Sequence, residues 1–97
     1  MDERHYYVYI LTNVKRTVLY IGITNNLIRR VWEHQEKFVR GFTERYHCTV
    51  LIYYEQYATA MDAIEREKQL KRWSRIKKLE LIRATNPALR DLYPELC

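Results

Sequence analysis

The chain has 97 residues, of which 47% are hydrophobic and 30% are charged, with only two glycines and two prolines. This composition is typical of one globular domain and excludes a disordered or low-complexity chain, and we predict a core over about residues 5–85 and a C-terminal tail over 86–97. The net charge is +5. No apolar run approaches the roughly 18 residues of a membrane span, and the N-terminus lacks signal-peptide features. The last two features predict a cytoplasmic protein with no membrane partner.

The first half of the chain predicts a β-hairpin followed by a helix. Residues 6–11 are aromatic and β-branched, and residues 18–23 repeat this pattern after a polar connection, so both are predicted strands. The segment Thr24-Asn25-Asn26 supplies helix N-cap chemistry. Apolar residues at helical spacing then predict a helix from residue 27 to about residue 39.

The second half predicts one more strand and two more helices. Residues 40–47 are a predicted loop and residues 49–55 a predicted strand. Thr59 caps a helix that runs to about residue 73, and Ser74 caps another that Asn86-Pro87 stops. The apolar residues of the tail are expected to fold back onto the core. The order ββαβαα predicts an α/β (α+β) fold with a three-stranded, mainly antiparallel sheet flanked by helices.

Two cysteines, Cys48 and Cys97, are too few and too far apart in sequence for a disulfide framework or a zinc site. We interpret both as reduced and incidental to function.

Most of the positive charge lies in one segment. Residues 64–83 carry eight basic and three acidic side chains, so this segment accounts for the whole net charge of +5. Such a patch favours an anionic partner such as nucleic acid, and the alternative is a solvated helix surface with i,i+4 ion pairs. The basic side chains are Arg66, Lys68, Lys71, Arg72, Arg75, Lys77, Lys78 and Arg83.

One acidic residue interrupts the apolar stripe of the second predicted helix. That stripe is formed by Ala60, Ala63, Ile64 and Leu70, and Glu67 projects from its middle. A carboxylate in this position is costly unless it is paired, hydrogen-bonded or bound to a metal. The alternatives are therefore an ion pair with the residue four positions on, Lys71, and a functional carboxylate.

The first predicted helix carries a basic stripe away from its main apolar face. Arg30, His34 and Lys37 have i, i+4, i+7 spacing, which predicts a surface stripe. Arg30 gains functional meaning only if the fold brings it near Glu67.

A tyrosine cluster lies beside a glycine on one face of the predicted hairpin if the register aligns the two strands. Side chains alternate across a sheet, so Tyr7 and Tyr9 lie on one face of the first strand and Tyr20 and Gly22 on one face of the second. A glycine within a strand often marks the close approach of a ligand or another backbone. The alternative is an aromatic packing cluster across the two strands.

These motifs together resemble the GIY-YIG nuclease superfamily over about residues 5–85. Tyr7-Val8-Tyr9 and, eleven residues on, Tyr20-Ile21-Gly22 resemble the paired signature, with Tyr7 where glycine is expected. The family's catalytic arginine lies eight residues beyond the signature glycine, which selects Arg30 over Arg29, and His34 follows where the family often has Tyr or His. Residues 63–71 are similar to the helix that carries the family's metal-binding glutamate, which selects Glu67.

The chain is most similar to the short, stand-alone bacterial members, which share Trp73-Ser74-Arg75 and the Asn86-Pro87 ending. Asn86 is the candidate counterpart of the family's late asparagine, or else only a helix terminator.

The resemblance implies a metal-dependent nuclease that hydrolyses phosphodiester bonds in DNA, or less readily RNA, in repair or recombination. One divalent ion, Mg²⁺ or Mn²⁺, is expected on Glu67, completed by water and phosphate oxygens. Tyr7 and Gly22 are expected to shape the site. The implied catalytic set is Tyr9, Tyr20, Arg30, His34 and Glu67, and the expected phosphate contacts are Arg29, Arg72, Arg75, Lys77 and Lys78.

The resemblance leaves open whether Tyr20 or Tyr9 orients or deprotonates the attacking water. A protein partner that supplies specificity is expected, because the chain has no room for a further DNA-binding domain. The alternative function is a non-catalytic nucleic-acid-binding module, or a docking domain of a larger repair complex. A purely structural or protein-interaction domain would show no salt-dependent binding of nucleic acid.

Overall fold

A computed structural model describes residues 5–97 of the chain. Its centre is a three-stranded antiparallel sheet in the order β2-β1-β3, so β2 and β3 are the edge strands. The elements, in chain order, are β1 (Tyr6–Thr12), β2 (Leu19–Thr24), α1 (Leu27–Gln35), α2 (Phe42–Tyr46), β3 (Val50–Tyr57), α3 (Ala60–Arg72), α4 (Arg75–Thr85) and α5 (Tyr93–Leu96).

The predicted α+β class and the predicted order of the main elements are confirmed, and two short helices are added to them. Helix α2 lies in the segment predicted as a loop, and α5 lies in the tail. Helix α1 ends at Gln35, not near residue 39, because Lys37 adopts the left-handed conformation with φ of 61°. Phe38 therefore leaves the helix and lies exposed against Trp32, with ring centroids 5.4 Å apart.

Side-chain caps begin the three long helices, as the sequence predicts. The side chain of Asn26 accepts a hydrogen bond from the Arg29 backbone N–H at the start of α1. Thr59 and Ser74 do the same for α3 and α4. Each cap satisfies one of the backbone donors that the first helical turn leaves unpaired.

The two faces of the sheet bury two separate apolar clusters. On one face, Val8, Ile10 and Ile21 pack with Ala63 and Leu70 of α3. On the other face the residues in alternate positions, Tyr9 and Leu11, pack with Leu27 and Val31 of α1; both sets are almost fully buried. Helices α1 and α3 therefore cover opposite faces of the sheet.

An ionic network ties β3 to α3. The Glu55 carboxylate accepts hydrogen bonds from the Tyr53 hydroxyl at 2.5 Å and the Tyr57 hydroxyl at 2.6 Å, and from Arg66 at 2.9 and 3.0 Å. Burial and the nearby carboxylate raise the pKa of Tyr57 to about 12, and they raise that of Tyr53 as well. Arg66, one of the eight basic residues of the 64–83 segment, therefore forms a structural ion pair with Glu55.

The C-terminal tail folds back onto the core, as predicted. The Leu92 backbone N–H donates to the Leu51 carbonyl at 2.7 Å, and Leu89 is 7% exposed. Asn86, which ends α4, is buried and donates through Nδ2 to the carbonyls of Ile52 and Arg90. These contacts give Asn86 a structural role in joining the tail to β3. None of the helices in residues 5–97 is long and apolar enough to cross a membrane.

Candidate active site

The site is built on the β1–β2 hairpin. Tyr9 lies directly opposite Gly22, and Leu11 lies opposite Tyr20, so the two tyrosines and the glycine share the face that α1 covers. A Cβ atom added to Gly22 would lie 2.4 Å from both Cζ and Oη of Tyr9. The glycine is therefore required because the Tyr9 ring lies on its Cα, so the group that approaches it closely is a side chain of the same hairpin.

His34 is buried, which makes the predicted surface stripe on α1 wrong at this residue. Its ring is 1% exposed and lies between two hydroxyl groups: Nε2 is 3.0 Å from the Tyr9 hydroxyl, and Nδ1 is 2.9 Å from Oγ1 of Thr43 on α2. Helix α2 covers the side of α1 on which His34 lies, and the periodicity of α1 alone could not show this.

The direction of the hydrogen bonds follows from the protonation states. Burial, together with the positive charge of Arg30, lowers the pKa of His34 to about 4, so the ring is neutral near pH 7. Burial raises the pKa of Tyr9 to about 12, so the phenol keeps its proton. Arg30 can only donate, and its guanidinium lies beside the Tyr9 oxygen, so the hydroxyl hydrogen points away from it. The Tyr9 O–H therefore donates to Nε2 of His34, and the Nδ1–H of His34 donates to Thr43.

Arg30 joins this chain of hydrogen bonds to an open groove. Its guanidinium lies beside the Tyr9 hydroxyl and is 3.1 Å from a carboxylate oxygen of Glu33. Arg29 pairs with the same carboxylate at 3.3 Å. This cavity, which we call the Arg30 groove, has a volume of about 580 Å³. Both arginines line it, and it lies at the end of β2 and the start of α1.

Tyr20 lines a second cavity further along the same strand. Its ring is 5.5 Å from the His34 ring and stacks on Phe42 of α2 with an interplanar angle of 27°. This cavity has a volume of about 250 Å³. Its walls come from both faces of the sheet: Leu19, Tyr20, Ile21, Phe42, Lys71 and Lys78. The two cavities thus follow the free edge of β2 on either side of Gly22.

Glu67 approaches this edge from the opposite face of the sheet. It lies on α3, its side chain is 16% exposed, and its carboxylate pairs with Nζ of Lys71 at 2.9 Å. Glu67 therefore forms the ion pair that was one of its two predicted alternatives. Lys71 also lines the cavity beside Tyr20, the Tyr20 cavity, so it connects the Glu67 carboxylate to that cavity. In residues 5–97 no group of three or more His, Cys, Asp or Glu side chains is arranged to hold a metal ion.

The single carboxylate of Glu67 is nevertheless suited to a hard divalent cation. Carboxylate oxygen is the preferred ligand type of Mg²⁺ and Mn²⁺, and water and phosphate oxygens can supply the rest of the shell. The Lys71 side chain is 55% exposed and is free to turn toward solvent when a cation replaces its charge.

The basic side chains predicted to contact phosphate lie in different environments. Lys78 lines the Tyr20 cavity and Arg29 lines the Arg30 groove. Lys77 lies over the ring of Trp73, with Nζ 4.2 Å from its centroid, and Arg75 donates to the Arg16 carbonyl at 3.3 Å. Arg72 is exposed at the end of α3.

The structure adds three residues to the site that the sequence did not single out for it. Thr43 orients His34, Phe42 stacks on Tyr20, and Lys71 reaches from Glu67 into the cavity. Phe42 and Thr43 belong to the segment predicted as a loop. Tyr7, in contrast, packs edge-on against Tyr54 and lines a separate cavity that shares Asn25 and Asn26 with the groove beside Arg30.

Fold and site together define a small α+β domain whose polar side chains gather along the edge strand of an antiparallel sheet. Comparison with known proteins specifies it further: the GIY-YIG catalytic domain family matches residues 5–80. The chain belongs to the GIY-YIG family, which is a family of nucleases.

Several relatives share most of their length with this chain. A UPF0213 protein of Bacillus pumilus is 32% identical over 80% of this chain and 79% of its own. A UPF0213 protein of Natronomonas pharaonis is 37% identical over 79% of this chain and 89% of its own. The solution NMR structure of a UPF0213 protein from Bacillus halodurans is similar in fold, with a TM-score of 0.54 and 24% identity over 87% of this chain and 88% of that one.

Proposed function

We propose that this protein is a metal-dependent phosphodiesterase that hydrolyses DNA, and that the free edge of β2 is where the phosphodiester binds. The observation that carries the proposal is the arrangement along this edge: Tyr20 and Arg30 from one face of the sheet, and Glu67, through Lys71, from the other. The family to which the chain belongs supports hydrolysis of nucleic acid as the reaction.

The charges along the edge suit a polyanion. Lys71 and Lys78 line one of the two cavities, and Arg29 and Arg30 line the other. Of the four, Arg29 and Arg30 share a single carboxylate, so this pair keeps a positive charge in excess. Basic side chains of this kind bind the phosphate backbone and give affinity without reading sequence.

Burial distinguishes the two candidate tyrosines. Tyr9 is 1% exposed, keeps its proton and donates it in a hydrogen bond to His34. Tyr20 is half-buried and lines the cavity. We therefore assign the orientation of the attacking water to the Tyr20 hydroxyl, and to Tyr9 and His34 the positioning of Arg30 and Tyr20.

Arg30 is suited to stabilise the charge that builds up on the phosphate. During hydrolysis the water oxygen bonds to phosphorus while the bond to the leaving sugar oxygen breaks, and negative charge grows on the non-bridging oxygens. A guanidinium that is paired with Glu33 and lies beside Tyr9 stabilises this charge with little reorganisation. Glu67 would hold Mg²⁺ or Mn²⁺, which supplies Lewis-acid stabilisation of the phosphate and the leaving oxygen when bound.

Several finer aspects of the function stay predictions. They are the preference for DNA over RNA, the role in repair or recombination, the cytoplasmic location and a protein partner that supplies specificity.

Cys48 and Cys97 are both free thiols, as the sequence predicts.

The first test of the proposal is cleavage of end-labelled single-stranded, duplex and branched DNA with Mn²⁺ or with EDTA. We expect metal-dependent cutting by the wild type. Glu67→Ala is expected to abolish it and to leave DNA binding largely intact, and Arg30→Ala is expected to abolish it as well. Glu65→Ala, an exposed carboxylate two residues away on α3, is the matched control and should cut like the wild type.

Cutting by Glu67→Ala at the wild-type rate would show that the site is assigned wrongly. Salt-sensitive DNA binding without any cutting would instead identify a non-catalytic binding module, in which the Lys71–Glu67 pair is only structural.

A further inference from the structure

Helix α2 presents a row of aromatic rings that begins inside the site and ends in solvent. Phe42 stacks on Tyr20 with ring centroids 6.0 Å apart, and Tyr46, one turn further on, lies 4.7 Å from Phe42. Phe42 is 46% exposed and Tyr46 is 43% exposed. Two adjacent aromatic side chains are thus left half uncovered beside the candidate catalytic tyrosine.

The position of this row is fixed by polar contacts. Thr43, the residue after Phe42, receives the hydrogen bond from buried His34 and accepts another through its carbonyl from the Cys48 backbone N–H, both at 2.9 Å. The helix is therefore held on the core by its polar side chain, while its large apolar side chains face the cavity and solvent. The uncovered faces of the two adjacent rings are therefore available to a ligand.

The charge beside the rings specifies the ligand. Lys71 and Lys78 line the same cavity as Phe42 and Tyr20, and Arg45 lies 5.9 Å from the centroid of the Tyr46 ring. A ligand that joins flat rings to negatively charged groups fits both the aromatic side chains and the cations. Grooves that combine basic side chains with aromatic stacking surfaces are the usual means of binding single-stranded nucleic acid.

We propose that Phe42 and Tyr46 form a stacking surface for unpaired nucleobases next to the bond that is cut, so that the substrate is single-stranded or locally unpaired nucleic acid. Bases inside a duplex are stacked on each other and have no free face to offer. This inference rests on the proposed function and names the substrate class of the same site.

The test compares binding of a fluorescent single-stranded oligodeoxynucleotide and of a blunt duplex of the same sequence, in EDTA to prevent cutting. Phe42→Leu keeps an apolar side chain but removes the ring, and it is expected to weaken binding of the single strand by roughly fivefold or more. Binding of the duplex should change little. Phe42→Tyr keeps the ring and should bind like the wild type. Phe38→Leu, an exposed ring that packs on Trp32, is the matched control and should also bind like the wild type.

Photo-crosslinking with a single strand that contains 5-iodouracil gives a readout independent of affinity. We expect the crosslinked peptide to contain Phe42 or Tyr46. Crosslinks elsewhere, with wild-type binding by Phe42→Leu, would overturn the stacking surface while Glu67-dependent cleavage still supports the nuclease. Equal effects of Phe42→Leu on single strand and duplex would overturn the preference for unpaired bases. Failure of the wild type to bind or cut any nucleic acid would instead refute the proposed function, and the inference with it.

Discussion

Protonation of His34 is expected to destabilise the folded protein, so the free energy of unfolding should decrease as the pH is lowered. The ring is buried between Tyr9 and Thr43, and it accepts a hydrogen bond through Nε2 in its neutral form. A second proton would remove that acceptor and place a cation beside Arg30, while Glu33 compensates only partly. The charged form is therefore disfavoured in the folded state.

The pKa values set the size and sign of the effect. The folded-state pKa of His34 is lowered from 6.5 to about 4, so between these values the unfolded chain binds more protons than the folded one. The stabilisation is complete above pH 6.5 and is lost as the pH falls toward 4. Between pH 7 and pH 5 the linkage relation gives a loss of about 2 kcal/mol in the free energy of unfolding.

Urea unfolding at pH 7 and at pH 5 measures this loss. For a protein of this size it corresponds to a fall in the urea midpoint of about 1–2 M. His34→Gln removes the titrating group, so the pH dependence of this variant should be smaller than that of the wild type by about 2 kcal/mol. Carboxylates titrate equally in both proteins and cancel in the comparison. Identical pH dependence in the two proteins would refute the buried, neutral state of His34.

Two further substitutions test the packing around the site. Gly22→Ala places a Cβ 2.4 Å from atoms of the buried Tyr9 side chain. We expect urea titration to show a loss of about 2–4 kcal/mol in the free energy of unfolding, because the site becomes overpacked and a hydrogen bond is broken. Wild-type stability of this variant would mean that the Tyr9 ring does not lie on Gly22. Glu55→Gln leaves the half-buried Arg66 without a counter-ion and should lower the free energy of unfolding by about 1–3 kcal/mol. The exposed control variant Glu65→Gln should stay within about 0.5 kcal/mol of the wild type. Equal urea midpoints for the two variants would contradict the ionic network around Glu55.

Local chemistry predicted most of the fold because the signals lie within single elements. Caps such as Thr59 and Ser74 form hydrogen bonds to the N–H group three residues on, so sequence spacing alone reveals them. The end of α1 was mispredicted because apolar spacing continues to Phe38, whereas the backbone at Lys37 turns left-handed. Periodicity reports which residues share a helix face, but it does not report where the helix stops.

The site was predictable where the signal lies within one helix or one hairpin, and not where elements from distant parts of the fold meet. Glu67 is anomalous within its own helix, and the match of Tyr9 to Gly22 follows from alternation along two adjacent strands. The burial of His34 depends on α2, which reaches it from nine residues away at Thr43. Phe42 could have been suspected from its i,i+4 spacing to Tyr46, but that spacing says nothing about Tyr20.

The register of the hairpin also explains why Tyr7 is tolerated where the family signature has glycine. Tyr7 lies opposite Thr24, two residues beyond the Tyr9–Gly22 pair, and its ring packs edge-on against Tyr54 of β3 with centroids 6.4 Å apart. Its ring therefore packs toward β3 at the open end of the hairpin and does not lie opposite the Gly22 backbone. Only the glycine beneath Tyr9 is fixed by sterics, because there the new atom would strike a ring that is held by its own hydrogen bond to His34.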